Sequence, residues 1–125
     1  MRYPSPLALF AALVMAACGA PTAVTSDGVL TVRPRDPALQ IENRSPTPVN
    51  HFIVERAYAA RILWMPCAGP TCPVIPAEGL VEIPYSSIAG YSSGAHEAIV
   101  YWWRSVPDGA GGFRPDSIRG LVTPL

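Results

Sequence analysis

Ala98-Ile99-Val100-Tyr101-Trp102-Trp103 is the densest run of β-branched and aromatic side chains in the chain. It lies within Tyr85 to Val106, one of two long proline-free stretches; the other is Val49 to Met65. Proline cannot donate to a β-ladder, so these two stretches should supply the middle of the sheets. Segments nearer Pro34, Pro37, Pro115 and Pro124 should then lie at edges. Strand alternation sends Ala98, Val100 and Trp102 to one face and Ile99, Tyr101 and Trp103 to the other. The first face carries no charge and is assigned to the interior. Tyr101 and Trp103 are then candidates for a partner surface, because Trp and Tyr dominate binding hot spots. Loops laid over that face would cancel the assignment.

The same pattern extends in both directions. Leu30 with Val32, Leu39 with Ile41, and Phe52 with Val54 each share a strand face, with His51, Ile53 and Glu55 opposite the last pair. Arg61 to Met65, Leu80 to Ile83 and Ser117 to Thr123 are further short strands. Asn43 to Pro48 and Asp108 to Gly112 are turns by composition. Ala57 to Ala60 suits either a hairpin tip or a helical turn, and the flanking β-branched and aromatic residues favour the tip. About seven short strands in about a hundred residues predict an all-β immunoglobulin- or fibronectin-like sandwich.

The amino terminus has a different character. Arg2 precedes an unbroken apolar run of eleven residues, Leu7 to Ala17, followed by small residues. That is the three-part plan of a secretory signal. As a helix the run rises only about 16 Å, against the ~30 Å of a bilayer core, so a permanent span is excluded. Its ending, Met15-Ala16-Ala17-Cys18-Gly19, resembles the lipobox of bacterial lipoprotein precursors, although Met15 replaces the usual Leu. The resemblance covers the first eighteen residues. It implies cleavage before Cys18 and a diacylglycerol on its thiol, so that the protein is exported and held at a membrane by lipid. Gly19, rather than Asp, after the cysteine implies the outer membrane in a host that has one.

The expected organisation is a signal peptide over 1–17, a lipidated Cys18 with a tether over 18–28, and a sandwich over 29–125. The tether, Gly19 to Gly28, is small and polar and reaches at most ~35 Å. Beyond its start the chain looks like small lipoproteins with immunoglobulin-like domains, a likeness of pattern that implies no activity.

Charge and cysteines narrow the function classes. Nine arginines, no lysine and nine acidic residues leave no basic face for nucleic acid. Three cysteines in an exported chain leave one over. With lipid on Cys18, Cys67 and Cys72 remain to form a disulfide around Gly69-Pro70. Their separation of five is wrong for a redox dithiol, which spaces its cysteines by two intervening residues. A metal or enzymatic site would have to gather His51, His96, Cys67 and Cys72 from distant segments. A blue-copper site fails because no Cys or Met follows His96. Gly90-Tyr91-Ser92-Ser93-Gly94 matches the G-x-S-x-G of serine hydrolases, but no histidine beyond His96 is left to complete a triad in that fold's order. The expectation is a non-enzymatic module of the cell envelope, without a cofactor, that binds or assembles with a protein or glycan partner.

Overall fold

The computed structural model describes residues 23–125. The signal segment and Cys18 lie outside the described residues. Eight strands form two antiparallel four-stranded sheets packed face to face, so the fold is an all-β sandwich. The first sheet runs β1 (Thr25–Ser26), β2 (Leu30–Arg35), β3 (Ala38–Asn43) and β6 (Leu80–Pro84). The second runs β5 (Val74–Ile75), β4 (Val49–Glu55), β7 (Glu97–Pro107) and β8 (Phe113–Pro124). In immunoglobulin-like terms β2-β3-β6 occupy the A-B-E places and β4-β7-β8 the C-F-G places, with β5 beside C and β1 added at the edge.

The interior is built as alternation requires. Leu30, Val32, Leu39 and Ile41 face Val49, Ile53, Ile75, Ala98, Val100, Trp102 and Leu121 in one apolar cluster. Val81 and Ile83 of β6 pack against its margin. Trp102 is 1 % exposed at the centre, and its indole Nε1 donates to Asp27 Oδ2 at 2.8 Å. That bond ties β7 to the turn entering β2, across the two sheets. The inward assignment of Ala98, Val100 and Trp102 therefore holds.

Prolines sit where the ladder can spare a donor. Pro115 and Pro124 lie in β8, the free edge of the second sheet. Pro34 lies in β2 beyond the two residues that pair with β1. The open side of β4 is closed in two pieces. β5 pairs with Val49 and Asn50, and farther along Glu55 N–H donates to Ala89 O at 2.8 Å while Ala89 N–H donates to Ile53 O at 3.2 Å.

Three local expectations are corrected. The tether expected over 18–28 does not reach residue 28, because Thr25–Ser26 pairs with β2 and Asp27 accepts from Trp102. Residues 57–60 are not a hairpin tip: Arg56–Ala59 makes one helical turn, capped by Glu55, whose carboxylate accepts from Ala57 N at 3.0 Å and Tyr58 N at 2.7 Å. Those two bonds hold the Glu55 carboxyl below its ordinary pKa. Arg61 to Met65 is not a ladder strand either. The turn redirects the chain off the edge of β4, and residues 60–73 pass back over the outer face of the second sheet.

Candidate contact site on the second sheet

Residues 60–73 form a strap. They keep the in-and-out alternation of an extended chain: Ile62, Trp64 and Pro66 are half-buried, while Arg61, Leu63 and Met65 are exposed. Pro66, Pro70 and Pro73 remove three ladder donors, and Gly69 takes a φ of 123°, so the segment joins no sheet. Side chains hold it instead. The Trp64 ring lies 4.7 Å from Phe52, 5.0 Å from Tyr101 and 5.7 Å from Trp103, centroid to centroid. Such pairs contribute about 0.5–1.5 kcal/mol each beyond the area they bury.

The far end of the strap is pinned by polar contacts. Cys67 and Cys72 are bonded, with Cα atoms 5.7 Å apart. Trp103 Nε1 donates to Cys67 O at 2.9 Å. Gly69 N–H donates to Ser105 Oγ at 3.0 Å, and that hydroxyl donates onward to Asn50 Oδ1 at 2.7 Å. Asn50 Nδ2 completes the set by donating to Pro73 O at 3.2 Å. Asn50 is 4 % exposed, so its amide is satisfied within the protein rather than by bulk water.

This arrangement corrects the expected partner surface. Trp103 is 1 % exposed and Tyr101 is half-buried, because Trp64 and the disulfide loop cover the face they occupy. Among the described residues the most exposed large apolar side chains are on the strap itself: Leu63 and Met65 are 104 % and 91 % exposed. Sequence reasoning assigned Arg61 to Met65 to a strand and so missed them. The signal that was available is the cluster of Pro66, Gly69, Pro70 and Pro73 immediately after it.

The residues of the alternative metal or enzymatic site are dispersed. His51 stands opposite Trp102 on β4, half-buried beside a hollow of about 230 Å³ lined also by Ile83 and Ser87, and burial lowers its pKa. His96 is exposed just before β7, where its carbonyl accepts from Leu125 N at 2.8 Å. Cys67 and Cys72 are spent on each other. Among the described residues no group of three or more His, Cys, Asp or Glu side chains is placed to hold a metal ion. The Gly90 to Gly94 segment is an exposed loop. Gly90 has a φ of 75°, and a Cβ there would collide with the Tyr58 side chain, so this glycine is required by close packing. None of the described helices is long and apolar enough to cross a membrane.

A cleft of about 320 Å³ opens where the strap meets the end of the sheet. Pro48, Val74, Pro70, Val106 and Phe113 line it together with Arg104 and Ser105. Comparison of the chain with protein-family models, with curated proteins and with solved structures returned no match.

Proposed function

We propose that the protein is a lipid-anchored module of a bacterial cell envelope that binds or assembles with a partner and performs no catalytic step. One observation carries the contact role: the strap holds Leu63 and Met65 fully in solvent on a backing fixed by Trp64, Trp103 and the Cys67–Cys72 bond. A rigid support means that covering these side chains does not also require ordering the backbone that carries them. The anchoring role rests on the lipobox-like ending at Cys18. It is supported by cysteine parity, since the Cys67–Cys72 bond leaves Cys18 as the third cysteine. β1, at one edge of the first sheet, is the first described strand, so an anchor at Cys18 would join the sandwich through that edge.

Two measurements test the reading. Mass spectrometry of membrane-extracted protein should find a diacylglycerol-modified amino terminus at Cys18, and Cys18→Ala should release the protein from the membrane fraction. A product beginning at Ala20 or later without lipid refutes the anchor. A photo-crosslinking residue at position 63 in cells should give a discrete protein or glycan adduct that the same residue at position 33, on the outer face of the first sheet, does not. Equal labelling from both positions refutes the strap as the contact surface.

A further inference from the structure

The cleft beside the strap has three properties that belong together. The first is an open strand edge. β4 pairs with β7 only as far as Asn50 opposite Trp103, whereas β7 continues to Pro107 paired with β8 alone. The ladder side of Arg104 to Val106 that faces away from β8 is therefore paired with no strand, and these three residues line the cleft together with Pro48 and Asn50. A ladder register shift between Trp102 and Arg104 turns this last part of β7 relative to the body of the sheet.

The second is the wall chemistry. Pro48, Pro70, Val74, Val106 and Phe113 are apolar, and Val74 and Phe113 are 45 % and 47 % exposed. The walls come from pieces that are themselves fixed. Asn43, fully buried, donates to Thr47 O, Ile75 O and Pro76 O, holding the turn before Pro48 against β5. The disulfide loop that carries Pro70 is held by Ser105 and Trp103. The cleft is thus preformed, and its volume is at the lower end of the range of ligand sites.

The third is an unpaired cation. Arg104 Nε is buried without a hydrogen-bond acceptor, and the guanidinium carbon sits 5.6 Å from the centroid of the Trp102 ring. Asp116 stands across the ladder from Arg104 yet makes no ion pair with it, and among the described residues the ion pair formed is Arg56 with Glu97. Asp108, in the turn of the β7–β8 hairpin, is engaged by Ala110 N and Gly112 N at 2.7 and 3.0 Å. A partly buried guanidinium with spare donors beside an apolar cleft suits a carboxylate carried on an apolar body.

We propose that the cleft receives the carboxyl end of an extended peptide. The peptide lies along the open edge of Arg104 to Val106, its last side chain, apolar and no larger than Val or Leu, fills the space between Val74 and Phe113, and its terminal carboxylate meets Arg104. Strand addition supplies main-chain hydrogen bonds, and the pocket and the carboxylate supply selectivity. A free fatty acid shares the carboxylate and the apolar body but makes no use of the strand edge. That difference separates the two sources.

The test titrates the full ¹⁵N-labelled chain with three probes: acetyl-Ala-Ala-Ala-Val as the free acid, the same peptide as its carboxamide, and hexanoate. The expected result is saturable shifts centred on the Gly69, Ser105 and Val106 amides with the free-acid peptide, and at least tenfold weaker binding of both other probes. Arg104→Gln should abolish the difference between acid and amide. Because Arg104 packs on Trp102, Val74→Glu serves as a second variant on an exposed position; its carboxylate at the mouth should weaken the free acid at least tenfold and the amide little. Equal binding of acid and amide overturns the role of Arg104. Hexanoate binding as tightly as the peptide overturns strand addition, and no saturable shift at millimolar peptide overturns the site.

Discussion

Trp102 and Trp103 are adjacent, both 1 % exposed, and each indole donates one hydrogen bond, yet they hold different things. Trp102 joins the two sheets; Trp103 holds the strap. Truncating either to Ala removes a buried ring, a change that typically costs about 3–5 kcal/mol. For Trp102 the surroundings come from both sheets and cannot close over the gap. The loss should fall on global stability, a large part of the ~5–15 kcal/mol available to a domain. At roughly 4–8 °C per kcal/mol for a domain of this size, the Tm of Trp102→Ala should fall by at least about 12 °C. For Trp103 the covering strap can detach. Losing one aromatic pair and the bond to Cys67 O removes roughly 1–3 kcal/mol from strap docking, which raises the open population by a factor of about 5 to 150. The Gly69 amide reports that opening, since it is buried and bonded to Ser105 Oγ. Its hydrogen exchange, measured by NMR well below each Tm, should accelerate by that factor in Trp103→Ala and by less than threefold in Trp102→Ala. If Trp102→Ala does not fold, Trp102→Phe, which keeps most of the ring volume and loses the bond to Asp27, takes its place. Equal acceleration in both variants would show that strap and sandwich open as one unit, and the division argued above would be wrong.

Other consequences are as direct. Asn43→Ala strips the Ser45 amide of its buried acceptor and takes one donor from the carbonyls of Thr47, Ile75 and Pro76, of which Thr47 O keeps Ser45 Oγ and Pro76 O keeps Gly79 N, so chemical denaturation should register a loss of about 1–3 kcal/mol. Asn43→Asp should not restore it, because an ionised carboxylate cannot donate. Cys67→Ser with Cys72→Ser removes a loop of six residues, worth about 2 kcal/mol in chain entropy; the melt should drop while the far-ultraviolet spectrum stays that of a β-protein. Burial lowers the pKa of His51 in the folded state, so the unfolded chain binds more protons as pH falls below about 6.5, and stability should decline from pH 7 toward pH 5. The depressed carboxyls of Glu55 and Asp108 lose their contributions only at lower pH. His51→Gln should flatten the slope between pH 7 and 5, and an unchanged slope would remove His51 as its source.

Alternation determined the sandwich, and proline placement the second sheet, where β4 and β7 are central and β8 lies at the edge; in the first sheet β2 and β3 are the inner strands despite Pro34 and Pro37. Apolar residues two apart in β2, β3 and β7, with Pro115 and Pro124 denied to the interior, leave few other ways to bury Leu30, Val32, Leu39, Ile41, Val100 and Trp102 together. Four residues between two cysteines were enough to anticipate the Cys67–Cys72 bond, because a short turn through Gly69-Pro70 brings the sulfurs together whatever surrounds it. The outer face of the second sheet was not legible in the same way. Alternation put Tyr101 and Trp103 on that face, but whether the face is wet depends on where residues 60–73 travel. That route is decided by a helical turn capped by Glu55, by Trp64 stacking on Phe52, and by Ser105 reaching Gly69 thirty-six residues away in sequence. The unpaired Arg104 is of the same kind: the β4–β7 pairing stops at Asn50 opposite Trp103, a register that only the assembled sheet defines. Local sequence specifies which groups can share a face; long-range packing decides which of those faces are covered, and the contact surface is whatever that covering leaves bare.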